Sequence, residues 1–430
     1  MIRAPTRAGE ARSWAPKGIG ETEVRLVLGG AMVVSLVLGL WFSRDTTFTL
    51  DEVYWFSTSP QLDLRGTIEP YNGHLVFTTR LVYAAILDIF GAGYLPFRLL
   101  TLGTVLLTAG LFFVFAQRRI GAVAALAPTL VLLFYGSDPH HAISGNGFTV
   151  LLPLALGIAA LLALEREDLG GDIVACVLLC LAIATFSVGV AFVVGTAALI
   201  LLGGDRWRRA WVFLVPALLF GAWYLWSRSQ GAGAGSGTVS LSNLLLVPNW
   251  MLNSLAAVGT SFLGLNYDYG DLASNWGPVV AIAALVALAW RLRRGNVPKW
   301  LWALMAVPAT LWVIEAARGV YPPFRVPQSS RYIFPVTIAV LLVAVEAARG
   351  RRLGRGGVLA LYAVAAISLA TNIALLRDYS AQFRLAAGEM RSDLGAIDIS
   401  EGRFGPRIQS KLVGATLQLT AQDNVATGYI

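Results

Sequence analysis

The chain has 430 residues, 56% of them hydrophobic and only 13% charged, with a formal net charge of +8. Soluble domains carry about 25% charged residues. A chain with a mean hydropathy of +0.66 cannot cover itself with polar surface, so much of its solvent is lipid. Its arginines sit in short clusters between apolar runs rather than on one polar domain, a pattern that sets orientation in a bilayer and argues against a nucleic-acid partner.

Residues 1–24 form a basic tail with Arg3, Arg7, Arg12 and Lys17, expected on the cytoplasmic side. A first span is predicted over Val24–Phe42. It ends on the bulky Leu40-Trp41-Phe42, which offers no small-residue cleavage site, so the helix is retained rather than removed as a signal peptide. Residues 44–93 form a first exported loop. Within it His74–Phe90 reads as an amphipathic helix on the outer membrane face, because Arg80 and Asp88 interrupt a stretch already short for a span.

Further spans are predicted over Tyr94–Ala116, Val123–Tyr135, Phe148–Leu164, Ile173–Ser187, Val190–Leu202 and Trp211–Trp226. A second exported loop, 228–276, opens on the flexible Gly231–Gly237. Residues 243–263 are apolar, but a crossing there would leave Arg291–Arg294 and Arg349–Arg355 outside, so this segment is read as non-crossing. The last spans are Gly277–Trp290, Trp300–Glu315, Tyr332–Val345 and Val358–Leu376. The result is an all-α polytopic membrane protein of about eleven transmembrane helices. Residues 25–376 form the membrane domain, with the N-terminus cytoplasmic. Residues 377–430 are an exported C-terminal segment with one amphipathic stretch near Phe383–Leu394. Cys176 and Cys180 lie inside an apolar run and read as small buried side chains, with no disulfide framework.

The predicted spans hold no row of arginines and no chain of acids, which argues against a proton-coupled transporter or a channel. Polar chemistry gathers instead on the exported side: Asp45, Asp51, Glu52, Asp63, Glu69, His74, Asp138, His140, His141, Asp268, Asp271, Arg325 and Arg331. Such a site suits a reaction between a lipid-carried substrate and a second one from the exported compartment. Its centre is Thr47-Phe48-Thr49-Leu50-Asp51-Glu52-Val53-Tyr54-Trp55, two adjacent carboxylates just beyond the first span. A polar helix end at the interface is the plainer account of the same doublet.

Asp51-Glu52 in this position resembles the acidic motif of the GT-C glycosyltransferases, which use polyprenyl-phosphate sugars and include protein O-mannosyltransferases and aminoarabinose transferases. The resemblance continues through Glu69-Pro70-Tyr71-Asn72-Gly73-His74, Gly91-Ala92-Gly93-Tyr94-Leu95-Pro96-Phe97-Arg98-Leu99-Leu100 and Gln117-Arg118-Arg119, and returns at Arg331-Tyr332-Ile333-Phe334-Pro335. His74 stands where many relatives have His-Pro-Pro. The resemblance implies a membrane glycosyltransferase of the inverting kind, and the alanine-, glycine- and arginine-rich composition fits a bacterial inner membrane. Its donor is a polyprenyl-phosphate sugar, and its acceptor is a hydroxyl of a glycan, lipid or protein.

The chemistry agrees with that implication. A polyprenyl phosphate leaves as an anion and needs little protonation, so only the acceptor hydroxyl requires a base. Adjacent residues on a helix point about 100° apart, so Asp51 and Glu52 do not both face one hydroxyl. The family pattern makes Asp51 the base, and Glu52 orients the acceptor or pairs with an arginine. Arg331 is the first choice for the leaving phosphate, because a guanidinium clamps two oxygens; Arg80 and Arg98 also qualify, although both suit interface anchoring. His74, His140 and His141 could bind acceptor hydroxyls or, with Asp138, a divalent metal. Tyr54 and Trp55 could stack on sugar faces. Two rivals stay open: a non-enzymatic lipid-linked glycan flippase, and an envelope enzyme of the O-antigen-ligase type.

Overall fold

The computed structural model describes residues 20–48, 51–59, 62–230, 240–265, 276–319, 326–351 and 353–399. Among them the secondary structure is helical apart from an isolated bridge between Tyr71 and His74. Residues 1–19 of the basic tail, the Gly231–Gly237 segment, Asp268, Asp271, Arg325 and residues 400–430 lie outside the described residues.

Helix α1 (Glu21–Phe42) begins where the Glu23 carboxylate accepts from the Gly20 amide at 2.7 Å, satisfying one orphan N–H of the first turn. Three short elements follow: α2 (Asp51–Thr58), α3 (Leu64–Ile68) and α4 (Phe77–Phe90). The last coincides with the expected amphipathic helix. It buries Thr79, Arg80 and Tyr83 and leaves Leu81, Ile89 and Phe90 exposed, an apolar face suited to lipid. Helix α5 (Leu95–Ile120) and α6 (Ala122–Leu133) are joined by Gly121 alone, at φ +83°, a left-handed conformation that glycine adopts without a Cβ clash.

The short α7 (Pro139–Ile143) leads into α8 (Phe148–Leu164), α9 (Leu169–Thr185) and α10 (Val188–Leu201). After the basic α11 (Arg206–Arg209) come α12 (Trp211–Ser229), a 3-10 turn at Leu241–Leu246, α13 (Val247–Leu263), α14 (Gly277–Arg293), α15 (Lys299–Ala317), α16 (Ser330–Ala347) and α17 (Arg355–Ile399). Small residues let the apolar helices close up. A Cβ on Gly195 of α10 would stand 3.1 Å from the Ala303 carbonyl of α15, and one on Gly157 of α8 would meet the Phe192 ring. Close backbone approach of this kind replaces the hydrophobic drive that lipid cannot supply.

This is a multi-pass membrane protein. Each of the eleven predicted spans has a helix at its place, and among the described residues six helices are long and apolar enough to cross a bilayer. One of the six is Leu241–Leu263, the segment read as non-crossing, so length and apolarity do not set it apart from the spans. Near its start Asn243 donates to the Ala317 carbonyl at the end of α15, and its C-cap Gly264 packs on the Ser368 backbone of α17.

The end of the chain differs more plainly from its reading. A span ending at Leu376 and a separate amphipathic stretch are expected, yet α17 runs unbroken for 45 residues. At 1.5 Å per residue that is about 68 Å, more than twice the hydrocarbon thickness of a bilayer. Nothing between Arg377 and Gln382 breaks a helix. Phe383, Ala387 and Met390 then supply a buried stripe at helical spacing.

Two buried acids, Glu346 and Asp172, are paired at helix ends remote from α2. Glu346 accepts from Arg119 at 2.6 Å, and Asp172 is gripped by Arg209 through both carboxylate oxygens.

Candidate active site

Asp51 and Glu52 open α2, where acidic side chains suit the positive end of the helix dipole. They diverge as helical geometry requires. Asp51 is half-buried and accepts a 2.6 Å hydrogen bond from the Tyr71 hydroxyl on Oδ1. Its Oδ2 has no hydrogen-bond partner among the described residues. Burial first, and the Asp51 charge second, push the Tyr71 pKa well above the ordinary phenol value, so Tyr71 remains a donor. Tyr54 stacks on Tyr71 at 4.7 Å.

Glu52 points the other way and is fully buried. The Tyr94 hydroxyl donates to it at 2.9 and 3.1 Å and itself accepts from the Gly145 amide at 2.8 Å. Gly145 is held tightly here, since a Cβ would lie 2.8 Å from Glu52 Oε1. Glu52 thus ties α2 to the start of α5 and to the turn before α8. Trp55, 1% exposed, packs with Phe48, Val53, Phe56 and Met390 behind the site, which leaves its faces covered.

The turn after α6 brings the second group. Asp138 is wholly buried and receives the His141 Nδ1 proton at 2.6 Å, with the Phe334 amide of α16 at 3.4 Å from the same oxygen. His140 is half-buried, and its Nδ1 is enclosed without a hydrogen-bond partner among the described residues. Burial, then the neighbouring His141, push its pKa down to about 4, against the opposing charges of Asp138 and Asp51; Arg331 adds to the lowering. Asp51, Asp138, His140, His141 and Arg331 therefore share one electrostatic neighbourhood. Arg331 is exposed beside the Tyr332 ring and makes no ion pair among the described residues.

The remaining candidates lie elsewhere. Arg80 is 2% exposed and donates to the Gly66 and Glu69 carbonyls. Arg98 donates to the Ser43 carbonyl at 2.5 Å. Both guanidiniums brace loops around α2 and α3. His74 stacks on Phe186 at 4.2 Å and stands between Ser187 Oγ at 2.7 Å and Arg318 Nη1 at 3.0 Å. An arginine only donates, so His74 Nε2 is the acceptor and Nδ1 carries the proton to Ser187. Arg318 also donates to the Asn72 carbonyl, one residue from Tyr71. Beside His74 an apolar cavity of about 390 Å³ runs between α9 and α12, lined by Leu75, Phe77, Ile183, Phe220 and Trp223 among others. Among the described residues no three His, Cys, Asp or Glu side chains converge as a metal site needs.

Sequence reasoning passed over Tyr71, Tyr94 and Arg318. The two tyrosines stand inside the stretches that carry the family resemblance. Arg318 follows a span whose predicted end, Glu315, drew attention away from it.

No protein-family model matches the chain, and no curated protein does. A solved structure does: ArnT from Cupriavidus metallidurans bound to undecaprenyl phosphate, with a TM-score of 0.54 over 92% of this chain and 84% of that one. The chain has the ArnT fold. Sequence identity is 14%, so the likeness is one of architecture.

Proposed function

We propose that the protein is a membrane glycosyltransferase that moves a sugar from a polyprenyl-phosphate carrier to an acceptor hydroxyl, with Asp51 as general base. The observation that carries this reading is the state of Asp51. One of its oxygens is held by Tyr71, the other has no partner among the described residues, and the carboxylate shares a neighbourhood with Arg331 and His140. The fold of a solved transferase bound to undecaprenyl phosphate supports the donor class.

In this mechanism Asp51 takes the acceptor proton as the acceptor oxygen bonds to the anomeric carbon. The bond from that carbon to the phosphate oxygen breaks, and its electron pair leaves with the phosphate. A single displacement of this kind inverts the anomeric centre. Arg331 meets the charge that grows on the phosphate. Glu52 anchors α2 and sets the direction of Asp51. The carrier's chain lies in the apolar cavity lined by Leu75 and Trp223, and Arg318, bonded to His74 next to Leu75, is a second cation. The reaction faces the exported side of a bacterial inner membrane, with the N-terminus cytoplasmic and the C-terminus exported.

The test is Asp51→Asn in proteoliposomes supplied with undecaprenyl-phosphate-linked mannose or aminoarabinose, followed by release or transfer of the sugar. Loss of a general base costs about 10²–10⁴-fold in rate, while binding of undecaprenyl phosphate is expected to persist. Parent-like turnover by this variant ends the proposal.

A further inference from the structure

Asn372 is wholly buried in α17, inside the stretch predicted as the last span. Eight residues further on, Ser380 donates to the Phe42 carbonyl at the end of α1, so Asn372 lies about 12 Å of helix rise deeper in the bundle. An amide at such a place is costly unless its hydrogen-bonding capacity is met. It is met on both sides. Asn372 Oδ1 accepts from the Gly136 amide at 2.8 Å, the Ser137 amide at 3.1 Å and the Ser137 hydroxyl at 3.2 Å. Its Nδ2 donates to the Ser368 carbonyl at 2.9 Å and the Ser261 carbonyl at 3.1 Å, with Ser368 Oγ at 3.2 Å.

The two ends of this amide do different work. The nitrogen holds α17 to itself and to α13. The oxygen holds the turn after α6, which the α17 backbone also touches: a Cβ on Gly136 would lie 1.9 Å from the Asn372 carbonyl. Asp138 follows the held pair directly, and its bond to His141 fixes the start of α7. His140 stands between these two residues, and its Nδ1 has no hydrogen-bond partner among the described residues. Its place is set by the turn and by the rings of His141 and Phe383.

We propose that Asn372 is a positioning residue for sugar transfer: through Gly136 and Ser137 it sets the Asp138–His141 pair, and with it the place of His140 in the site. The catalytic meaning of this assignment rests on the proposed function; the geometry does not.

The chain has three histidines, so ¹⁵N-imidazole spectra of the full protein in nanodiscs resolve each ring. In Asn372→Ala the His140 and His141 signals are expected to move and the His140 midpoint to rise from about 4. His74 stays in place. Sugar release from the undecaprenyl-phosphate donor is expected to slow roughly tenfold in kcat, with KM for the donor within about twofold, as for an interaction felt in the transition state. Unmoved His140 and His141 signals in Asn372→Ala overturn the proposal. Where Asn372→Ala does not fold, Ser137→Ala decides: a shift confined to His140 and His141 supports the assignment, and no shift overturns it. Selective shifts in a protein whose parent form transfers no sugar leave the positioning role intact and remove the reaction instead.

Discussion

Tyr71 and Asp51 are joined by a 2.6 Å hydrogen bond in which the phenol donates to one carboxylate oxygen. The bond orients the carboxylate and, in the proposed mechanism, leaves Oδ2 for the acceptor. Replacing Tyr71 by Phe keeps the ring that stacks on Tyr54 and removes only the donor. A hydrogen bond to a charged group is worth about 1.5 kcal/mol or more, close to tenfold in rate. Tyr71→Phe is expected to lower kcat by about that factor with donor affinity unchanged, as steady-state kinetics would read. A variant with parent kcat removes Tyr71 from the site.

Arg331 and Arg80 predict opposite kinds of failure. Arg331 is exposed and makes no ion pair among the described residues, so Arg331→Ala is expected to weaken undecaprenyl phosphate binding by about tenfold while the fold persists. Arg331→Lys recovers only part, because an ammonium lacks the two-pronged geometry. Arg80 is buried against backbone carbonyls, and Arg80→Ala is expected to lower the melting temperature first. Titration of each purified variant with the lipid, beside its thermal melt, separates the two. Unchanged affinity in Arg331→Ala moves the phosphate elsewhere, with Arg318 next in line.

Apolar runs of span length are a local property, so the bundle was legible in the sequence, as was the amphipathic α4. Depth and facing were not. Glu52 and Trp55 stand next to Asp51 and Tyr54, but which side of α2 is covered depends on Tyr94 and Met390, far along the chain. The His74–Arg318 contact spans 244 residues, beyond any motif. The continuation of α17 was missed because a polar break was read as an end, although polar residues in a helix can mark its exit from lipid. Asn372 carries no charge to mark it within an apolar run, although a buried amide obeys the same rule as a buried charge.

His140 makes stability depend on pH. Burial holds its pKa down at about 4, whereas an unperturbed histidine titrates at 6.5. Between those values the unfolded chain binds more protons than the folded one, so stability rises with pH through this window. The contribution is complete above about 6.5 and is lost as pH falls towards 4. The melting temperature of the parent is expected to drop between pH 7 and pH 5 more steeply than that of His140→Gln. Parallel slopes would assign the acid sensitivity to another group.

The Arg119–Glu346 pair is a test of the bundle rather than of the chemistry. Glu346 is fully buried and Arg119 nearly so, with Arg119 also bonded to Glu165 at 2.7 Å and lying over the Phe115 ring at 3.4 Å. Removing Glu346 leaves the buried Arg119 with only Glu165, itself shared with Arg118, and removing one member of a buried pair costs up to about 3–5 kcal/mol. Replacing both with apolar residues of similar volume is often close to neutral. Glu346→Leu alone is therefore expected to be strongly destabilised, and Arg119→Met with Glu346→Leu to recover much of the loss, though Glu165 then lacks one of its two arginines. Because the pair joins the end of α5 to the end of α16, remote from α2, sugar transfer by whatever fraction folds should retain its KM. A double variant as unstable as the single one would show that the pair stabilises by its charges and not merely by filling the space between the two helices.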